Sequence, residues 1–344
     1  MHTARFPLLP VLALAALLLL PGPRAAAAQE NATAPAETRL PPLVVTARGY
    51  GAEISATPGG VGAVEAEEIR QTAPAGVADA ASRIPGVDRS DDSPWGSDMV
   101  IRGLGRDSVV LLIDGMRANT TTDINGRFGL ASPLDVARVE VLKGPVSALY
   151  GTGSTGGVVN VVTKAGEFSP EPHWSGETTL AAESNPGGCD LYGNAGYSSP
   201  DLWVFGAGSS RSHESYREGG GDTVHNSQYE DRSGRLALAT AWNGLHQTRF
   251  DVQRAEAREV GIPGSGTAAL PSNADVTLAH EYRTMAQVRH AFTPEDSALE
   301  KSELALGYQK IERNPRIDEF TSGQVEWIKP HADHETAKIG RAHV

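Results

Sequence analysis

The sequence predicts a mixed α+β domain followed by part of an antiparallel transmembrane β-barrel. Three observations favour this fold class. The chain begins with an export signal, residues 51–168 mix short helical and strand patterns, and segments of about ten residues alternate in polarity from residue 173 onward. This alternation is expected where one face of each strand meets lipid and the other meets a polar lumen.

Length and charge narrow the class of protein. The chain has 344 residues and a formal net charge of −12. The length allows two domains, and so acidic a chain is a poor candidate for coating nucleic acid, which needs clustered Lys and Arg. The chain has a single cysteine, Cys189. A lone cysteine excludes an internal disulfide framework and a four-cysteine zinc site.

The N-terminus has the pattern of a secretory signal over residues 1–28. His2 and Arg5 give a short charged start, an apolar stretch runs from Leu8 to Leu20, and small residues at Ala26–Ala28 suit cleavage. The apolar stretch is too short to span a bilayer as a helix. We therefore expect export, to a soluble compartment or into a membrane as a barrel.

Residues 29–50 form a predicted linker that carries a short β-prone patch. Residues 29–40 are small and polar and favour disorder. Leu43–Ala47 (LVVTA) follows them as a short apolar strand pattern. Such a strand at a mobile terminus can add to the sheet edge of a partner through backbone hydrogen bonds. The alternative is that it is the first strand of the following domain.

Residues 51–168 are predicted to form one mixed domain. Pro85 and Gly86 end the second of its helical pieces, because neither residue continues a helix readily. Asp114 and Gly115 are a turn signal between two short strands. The predicted helical pieces are Ala66–Gln71, Val77–Arg83 and Pro133–Ala137, and the predicted strands include Met99–Arg102, Val109–Ile113, Arg138–Lys143 and Val158–Val162.

Residues 169–338 are predicted to be seven clear barrel strands and an eighth less clear one. Leu236 and Leu238 alternate with Arg235 and Ala237, which assigns the two pairs to opposite faces of one strand. Short and long connections also alternate, as in membrane barrels, whereas a soluble sandwich has no reason to do so. The predicted short turns are 198–201, 243–244 and 293–296, the long loops are 212–228, 257–275 and 314–323, and the connection 184–189 is intermediate.

The last six residues, Ile339–Val344, are what one reading frame of a common sequencing-adapter stretch would encode. We therefore predict that residues 339–344 are a sequencing artefact. We also expect the chain to be an N-terminal fragment, because eight open strands cannot satisfy their edges in lipid.

Several motifs resemble those of TonB-dependent outer-membrane receptors. Leu43–Ala47 resembles a TonB box, and the plug motifs of the family are matched, in the family's order, by Met99–Gly105 (MVIRGLG), Leu112–Arg117 (LIDGMR) and Arg138–Lys164. The resemblance implies a plug inside a 22-stranded barrel of the cell outer membrane in a Gram-negative bacterium. It also implies active import of a metal chelate (a ferric siderophore or haem) or of cobalamin, powered through TonB, ExbB and ExbD.

The resemblance assigns a partner to the box. In the family, this segment pairs with a strand of TonB in the periplasm, which agrees with the strand addition expected of a short apolar patch. The residues that we expect to bind TonB are Leu43, Val44, Val45, Thr46 and Ala47.

The resemblance also suggests ligand-binding residues. In the family, loops at the positions of 88–98 and 118–131 point toward the external vestibule. They carry Trp95, Asn125, Arg127 and Phe128, which combine aromatic and hydrogen-bonding groups as ligand pockets do. Plain turns are the alternative.

By resemblance, two cations are candidates for contacts between the plug and the barrel wall. Arg102 and Lys143 match the cations that face barrel-wall carboxylates in the family, although the second position is usually Arg. Lys offers one mobile charge in place of a bidentate fork, so we expect a weaker contact at Lys143. The alternative is that both are ordinary surface charges.

Other motifs are interpreted as structural. Gly151–Gly156 fits the dinucleotide fingerprint, but a β-branched run follows it where that fingerprint needs a helix. His331 and His334 lack neighbouring metal ligands in the sequence. We therefore predict no catalytic residues, no metal site and no cofactor. The rival classes are an enzyme of an export compartment and a passive porin or adhesin.

Overall fold

A computed structural model describes residues 43–44, 52–53, 60–91, 93–118, 126–263, 275–294, 301–318, 327–328 and 331–342. By its contacts the chain divides into two units, Met1–Leu40 and Pro41–Val344, and all the described residues lie in the second. Several predictions fall outside the described residues: the signal over 1–28, the linker over 29–42, the TonB-binding roles of Val45, Thr46 and Ala47, and the ligand-binding role of Asn125.

The described residues before 165 contain a mixed domain of short helices and strands. They also contain three turns of 3₁₀ helix, at Arg106–Ser108, Arg127–Leu130 and Pro133–Asp135. The elements are β1 (Leu43–Val44), β2 (Ala52–Glu53), β3 (Gly60–Glu65), α1 (Ala66–Thr72), α2 (Val77–Ala81), β4 (Val87–Asp91), β5 (Ser97–Ile101), β6 (Val109–Ile113), β7 (Met116–Arg117), β8 (Val136–Lys143), α3 (Ser147–Tyr150) and β9 (Gly157–Thr163).

Five strands of the mixed domain form one sheet in the order β3-β8-β9-β6-β7. Only the β6–β9 pair is parallel. All five residues of β6 are buried, as expected for a central strand covered on both faces. The helix α2 buries Val77, Ala78, Ala80 and Ala81 in the same core. The sequence prediction for β6 is confirmed to the residue, whereas β3 and β4 were not predicted.

The second part of the chain is one antiparallel sheet, named here the wall sheet. Seven strands, β10 to β16, pair in sequence order, and both β17 and β18 then pair with β16. The strands are β10 (His173–Ser184), β11 (Gly187–Ser198), β12 (Leu202–His213), β13 (Tyr229–Trp242), β14 (His246–Ile262), β15 (Asp275–Phe292), β16 (Ser302–Asp318), β17 (Trp327–Ile328) and β18 (Ala332–Ala342).

The two faces of the wall sheet differ as the alternation predicted. On β13, Leu236 is 69% exposed while Ala237 is 4% exposed. Phe250, Val252, Leu304 and Leu306 are likewise exposed on the outer face. The inner face is buried against the mixed domain, and Tyr229, Val260 and Leu278 join the apolar core of that domain.

Four connections differ from the prediction. The connection between β10 and β11 was expected to be intermediate, which is wrong: only Asn185 and Pro186 separate the two strands. The strand β14 continues to Ile262 and β16 continues to Asp318, so the loops after them begin later than the pattern indicated. The connection between β15 and β16 is longer than the expected turn 293–296, because β15 ends at Phe292 and β16 begins at Ser302. Residues 339–342 continue β18 and pair with β16 through backbone atoms. Because backbone pairing accepts many side chains, the origin of residues 339–344 stays a prediction.

Among the residues that the structure describes, no helix is both long enough and apolar enough to cross a membrane.

Candidate functional site

The mixed domain meets the wall sheet through a buried polar interface. Its first contact is the turn between β6 and β7, where Asp114 and Gly115 both adopt positive φ, 47° and 75°. The backbone N–H and hydroxyl of Thr163 donate to the Asp114 carboxylate at 3.0 and 2.8 Å. From the wall, Gln253 also donates to this carboxylate, and Arg289 donates to the Asp114 carbonyl. Asp114 therefore fixes the turn and docks it on the wall.

The charge of Arg235 on β13 helps to keep Asp114 ionised. Burial opposes ionisation of Asp114, but the Arg235 charge and the Thr163 N–H outweigh it and hold the pKa of Asp114 below its usual value. The Arg235 guanidinium binds Asp251 on β14 at 2.6 Å and donates to the Lys164 carbonyl. It thus joins two wall strands to the end of the mixed domain.

A second carboxylate of the mixed domain, Asp135, lies beside the same arginine. The Tyr192 hydroxyl on β11 donates to it at 3.0 Å, and its other oxygen is 3.7 Å from Arg235. Three residues earlier in the same turn region, Ser132 accepts a hydrogen bond from Ser209 on β12 at 3.1 Å. Burial raises the pKa of Asp135 to about 6, and the Arg235 charge offsets only part of the rise.

The predicted ligand residue Trp95 lies at a third contact with the wall. It is 2% exposed, and its indole N–H donates to Asp231 on β13 at 3.1 Å. Arg211 on β12 holds the same carboxylate with its Nε at 2.9 Å and donates to the Ala75 carbonyl at 2.8 Å. The Trp95 ring packs where a Cβ at Gly129 would stand 2.6 Å away. Trp95 is therefore an anchor between the mixed domain and the wall.

The other described ligand candidates are also held internally. Phe128 is 1% exposed in the apolar core. Arg127 pairs with Asp98 at 3.1 Å and donates to the Val109 carbonyl at 3.1 Å. Burial raises the pKa of Asp98, and the Arg127 charge offsets part of that rise. These contacts give each residue a structural role, and direct ligand contact stays a prediction.

Arg102 and Lys143 lie side by side in the mixed domain. Both side chains flank Gly60, where an added Cβ would stand 2.7 Å from the Arg102 guanidinium and 3.1 Å from Lys143 Cε. The Lys143 ammonium donates to the Pro85 carbonyl at 2.8 Å. Burial, and then the nearby Arg102 charge, lower the pKa of Lys143. Within the described part of the chain neither cation forms an ion pair, so their contact with a barrel wall stays a prediction.

Comparison with known proteins assigns the mixed domain to a domain family. The family model for the TonB-dependent Receptor Plug Domain matches residues 53–158. This range covers the five-stranded sheet except its last residues. The mixed domain therefore belongs to the plug domains of TonB-dependent receptors. The wall sheet follows this plug as barrel strands do in the solved structures of that fold.

Relatives and solved structures agree with this assignment. The chain is 30% identical to an iron-regulated outer membrane virulence protein of Vibrio cholerae over 213 residues, which cover 58% of the chain and 31% of that protein. It is 27% identical to a ferric enterobactin receptor of Pseudomonas aeruginosa over 315 residues, 78% of the chain and 40% of that receptor.

The structure of the copper transporter OprC superposes on 76% of the chain and 38% of its own with a TM-score of 0.64 at 20% identity, which shows the fold. The matched part of the chain spans between 31% and 40% of the length of these proteins.

The predicted box is described only in part. Leu43 and Val44 form β1, which pairs with Ala52 and Glu53 of β2 through the backbone. In the described part of the chain these strands form a two-stranded sheet, so the second edge of β1 is unpaired there. An extended segment with an unpaired edge is suited to strand addition.

The rest of the box, Val45, Thr46 and Ala47, lies outside the described residues. The expected strand over Leu43–Ala47 is therefore seen only at its first two positions. The role of all five residues in binding TonB stays a prediction.

Sequence reasoning missed the plug–wall interface. The alternation did assign Arg235, Asp251 and Gln253 to one set of strand faces, and charged residues on a buried face signal partners across that face. Their partner Asp114 lies 139 positions from Gln253. No local pattern links positions so far apart, so only the structure brings them together.

Proposed function

We propose that this protein is an outer-membrane receptor that imports a metal chelate, a ferric siderophore or haem, with energy supplied through TonB, ExbB and ExbD. The observation that carries the proposal is the plug packed on the inner face of an antiparallel sheet whose outer face is apolar. A sheet with apolar side chains outside and a polar, occupied inner face suits a blocked pore in a lipid bilayer. The names of the iron-regulated relatives support a metal chelate as the cargo.

The proposed mechanism is binding and mechanical work, with no covalent chemistry. The chelate binds at the outer end of the plug, near the segments that carry Trp95 and Arg127. The box, Leu43–Ala47, then pairs with a strand of TonB in the periplasm, after delivery of the protein by its signal. Force on the box separates part of the plug from the wall. The polar plug–wall contacts support this step, because water can replace each of them.

There are two alternatives to a metal-chelate receptor. Cobalamin would use the same fold and the same energy source. A passive porin or adhesin belongs to a different class, and the plug disfavours it, because a plug over the inner face leaves no open channel on that side.

The energy-coupling step is tested by Val45→Pro in the full-length receptor. Proline removes a backbone donor from the box and should block strand pairing with TonB. We expect uptake of radiolabelled iron chelate to fall to background while surface binding is retained, with Val45→Ala as the matched control that keeps the N–H.

The cargo is tested in a receptor-deficient Gram-negative host. Ferric enterobactin, haem and cyanocobalamin are supplied separately, and growth is scored for each. Growth on cyanocobalamin alone would favour the cobalamin alternative.

The energy-coupling test has its own contradicting outcome. Normal uptake by the Val45→Pro variant would remove TonB coupling from the proposal.

A further inference from the structure

Asp135 lies at the point where the plug meets three wall strands. It ends a turn of 3₁₀ helix and is 8% exposed. Its carboxylate accepts the Tyr192 hydroxyl at 3.0 Å from β11 and faces Arg235 of β13 at 3.7 Å. Ser132 of the same turn region contacts Ser209 of β12. Displacing the plug from the wall would therefore expose Asp135 to water.

Both the plug and the wall place charged groups around Asp135. The plug contributes Asp114 and Lys164, and the Lys164 ammonium pairs with Glu177 of β10 at 3.0 Å. Asp135 also borders a cavity of about 20 Å³ between plug and wall, which has room for one water. The charged and titratable groups around Asp135 are Asp114, Lys164, Glu177, Tyr192, Arg235, Asp251 and Arg283.

Arg235 does not neutralise Asp135 fully, because it is shared. It binds Asp251 through two nitrogens, at 3.2 and 2.6 Å, and donates to the Lys164 carbonyl as well. Asp135 receives only the longer contact of 3.7 Å. A buried carboxylate with a distant, shared cation is more costly to ionise than one with its own cation.

We propose that Asp135 is a positioning residue whose protonation sets how firmly the plug docks against the wall. The docked plug favours the neutral acid, and the displaced plug favours the carboxylate. Displacement therefore releases a proton, and docking takes one up. This concerns the resting receptor and requires neither chelate nor TonB, so it can fail while the proposed transport function stands.

The direction of the pH dependence follows from burial. Burial raises the pKa of docked Asp135 from 3.8 to about 6. Docking is then strongest at low pH, weakens as the pH rises through 4 to 6, and is weakest above 6. Between pH 4 and pH 6 the docking equilibrium constant should fall by up to about tenfold per pH unit, and above pH 6 it should level off. It should therefore fall by about tenfold in total between pH 5 and pH 7.

The test compares the wild-type receptor with Asp135→Asn in detergent micelles. Hydrogen exchange of plug peptides covering residues 127–140 is measured at pH 5, 6 and 7, and the two proteins are compared at the same pH so that intrinsic exchange rates cancel. Asn is neutral at each pH. We expect the ratio of wild-type to variant protection to fall about tenfold from pH 5 to pH 7. A ratio independent of pH would overturn the proposal.

A second variant keeps the proposal testable if Asp135→Asn fails to fold. Tyr192→Phe removes a hydroxyl that favours the charged form of Asp135, so the pH at which docking weakens should move upward. Ser209→Ala is the matched control, since it removes the Ser132 contact without a titrating group. It should lower protection equally at all three pH values. A window that stays in place or moves downward in Tyr192→Phe contradicts the role of Asp135.

Discussion

The interior of the plug and its interface with the wall differ in polarity. The central strand β6 buries five apolar side chains, and the strands and helix beside it add valines and alanines. The interface adds Tyr229, Val260 and Leu278 to that apolar core, but it also buries the charged residues Asp114, Arg235, Asp251 and Arg283. Apolar burial makes the plug one folded body that water does not open easily. Polar contacts specify where that body docks but can be exchanged for contacts with water.

The charges at the interface are arranged in both directions. Resemblance pointed to plug cations that meet wall carboxylates, and Lys164 of the plug does pair with Glu177 of β10 at 3.0 Å. The plug also supplies two acids, Asp114 and Asp135, which lie beside Arg235 of the wall. Because many of these contacts are polar, we expect the plug to leave the wall without unfolding first.

The largest expected effect is at the shared arginine of the interface. Arg235→Met leaves Asp251, Asp135 and Asp114 buried without their main cation, which should weaken docking by about 3–5 kcal/mol. The measurement is the free energy of opening from hydrogen exchange of plug amides in the full-length receptor.

The control for Arg235→Met removes charge from both sides of the pair. In the double variant Arg235→Met/Asp251→Leu the pair is replaced by apolar groups, and part of the loss should return. If the double variant opens as easily as the single one, unpaired charge is not the cause of the loss.

The plug core gives the next effect. Ile113→Ala removes a side chain that is 0% exposed at the end of β6, and the cavity should cost about 3 kcal/mol of plug stability. Leu104→Ala is the matched control at a site that is 45% exposed. In Ile113→Ala the amides of the central plug strands should lose protection from hydrogen exchange, together with the other amides of the plug. Loss confined to amides at the wall would mean that core and interface are not separate.

The elements of the plug were largely predictable because their signals are local. The five-residue apolar run 109–113, the Asp114–Gly115 turn and the Pro85–Gly86 stop each depend on neighbouring residues. The strands β3 and β4 were missed because GVGAVE and VDRSD are too polar or too rich in glycine to show a strand period. They are strands because β8 and β5 pair with them.

The candidate site was less predictable, because its contacts are distant in sequence. An aromatic in a polar loop, such as Trp95, is typical of a ligand contact, and sequence reasoning gave it that role. In the structure its indole N–H donates to Asp231 of the wall, 136 positions later, a contact that sequence reasoning did not foresee. Its role in ligand binding stays a prediction. The contacts of Arg235 were likewise not foreseen, since its inward direction was predictable from alternation but its shared acids were not.

The smallest expected effect on plug docking is that of Trp95→Phe, which tests whether Trp95 anchors the plug to the wall. Trp95→Phe keeps an aromatic ring over Gly129 but removes the N–H that donates to Asp231. Asp231 retains Arg211, so the loss is one hydrogen bond to a charged acceptor, about 1.5 kcal/mol. Hydrogen exchange of residues 93–97 should report it. Trp174→Phe, at a site 79% exposed on the outer face, should leave these amides unchanged.

Ligand titration separates the two roles of Trp95. If Trp95 anchors the plug, Trp95→Phe loosens residues 93–97 in the free receptor, and the Kd for the chelate found by the growth assay changes only through that loosening. If Trp95 contacts ligand directly, the Kd rises while the exchange of residues 93–97 stays at the wild-type rate. The second result would return Trp95 to the ligand site and limit the polar interface to the contacts of Asp114, Asp135 and Arg235.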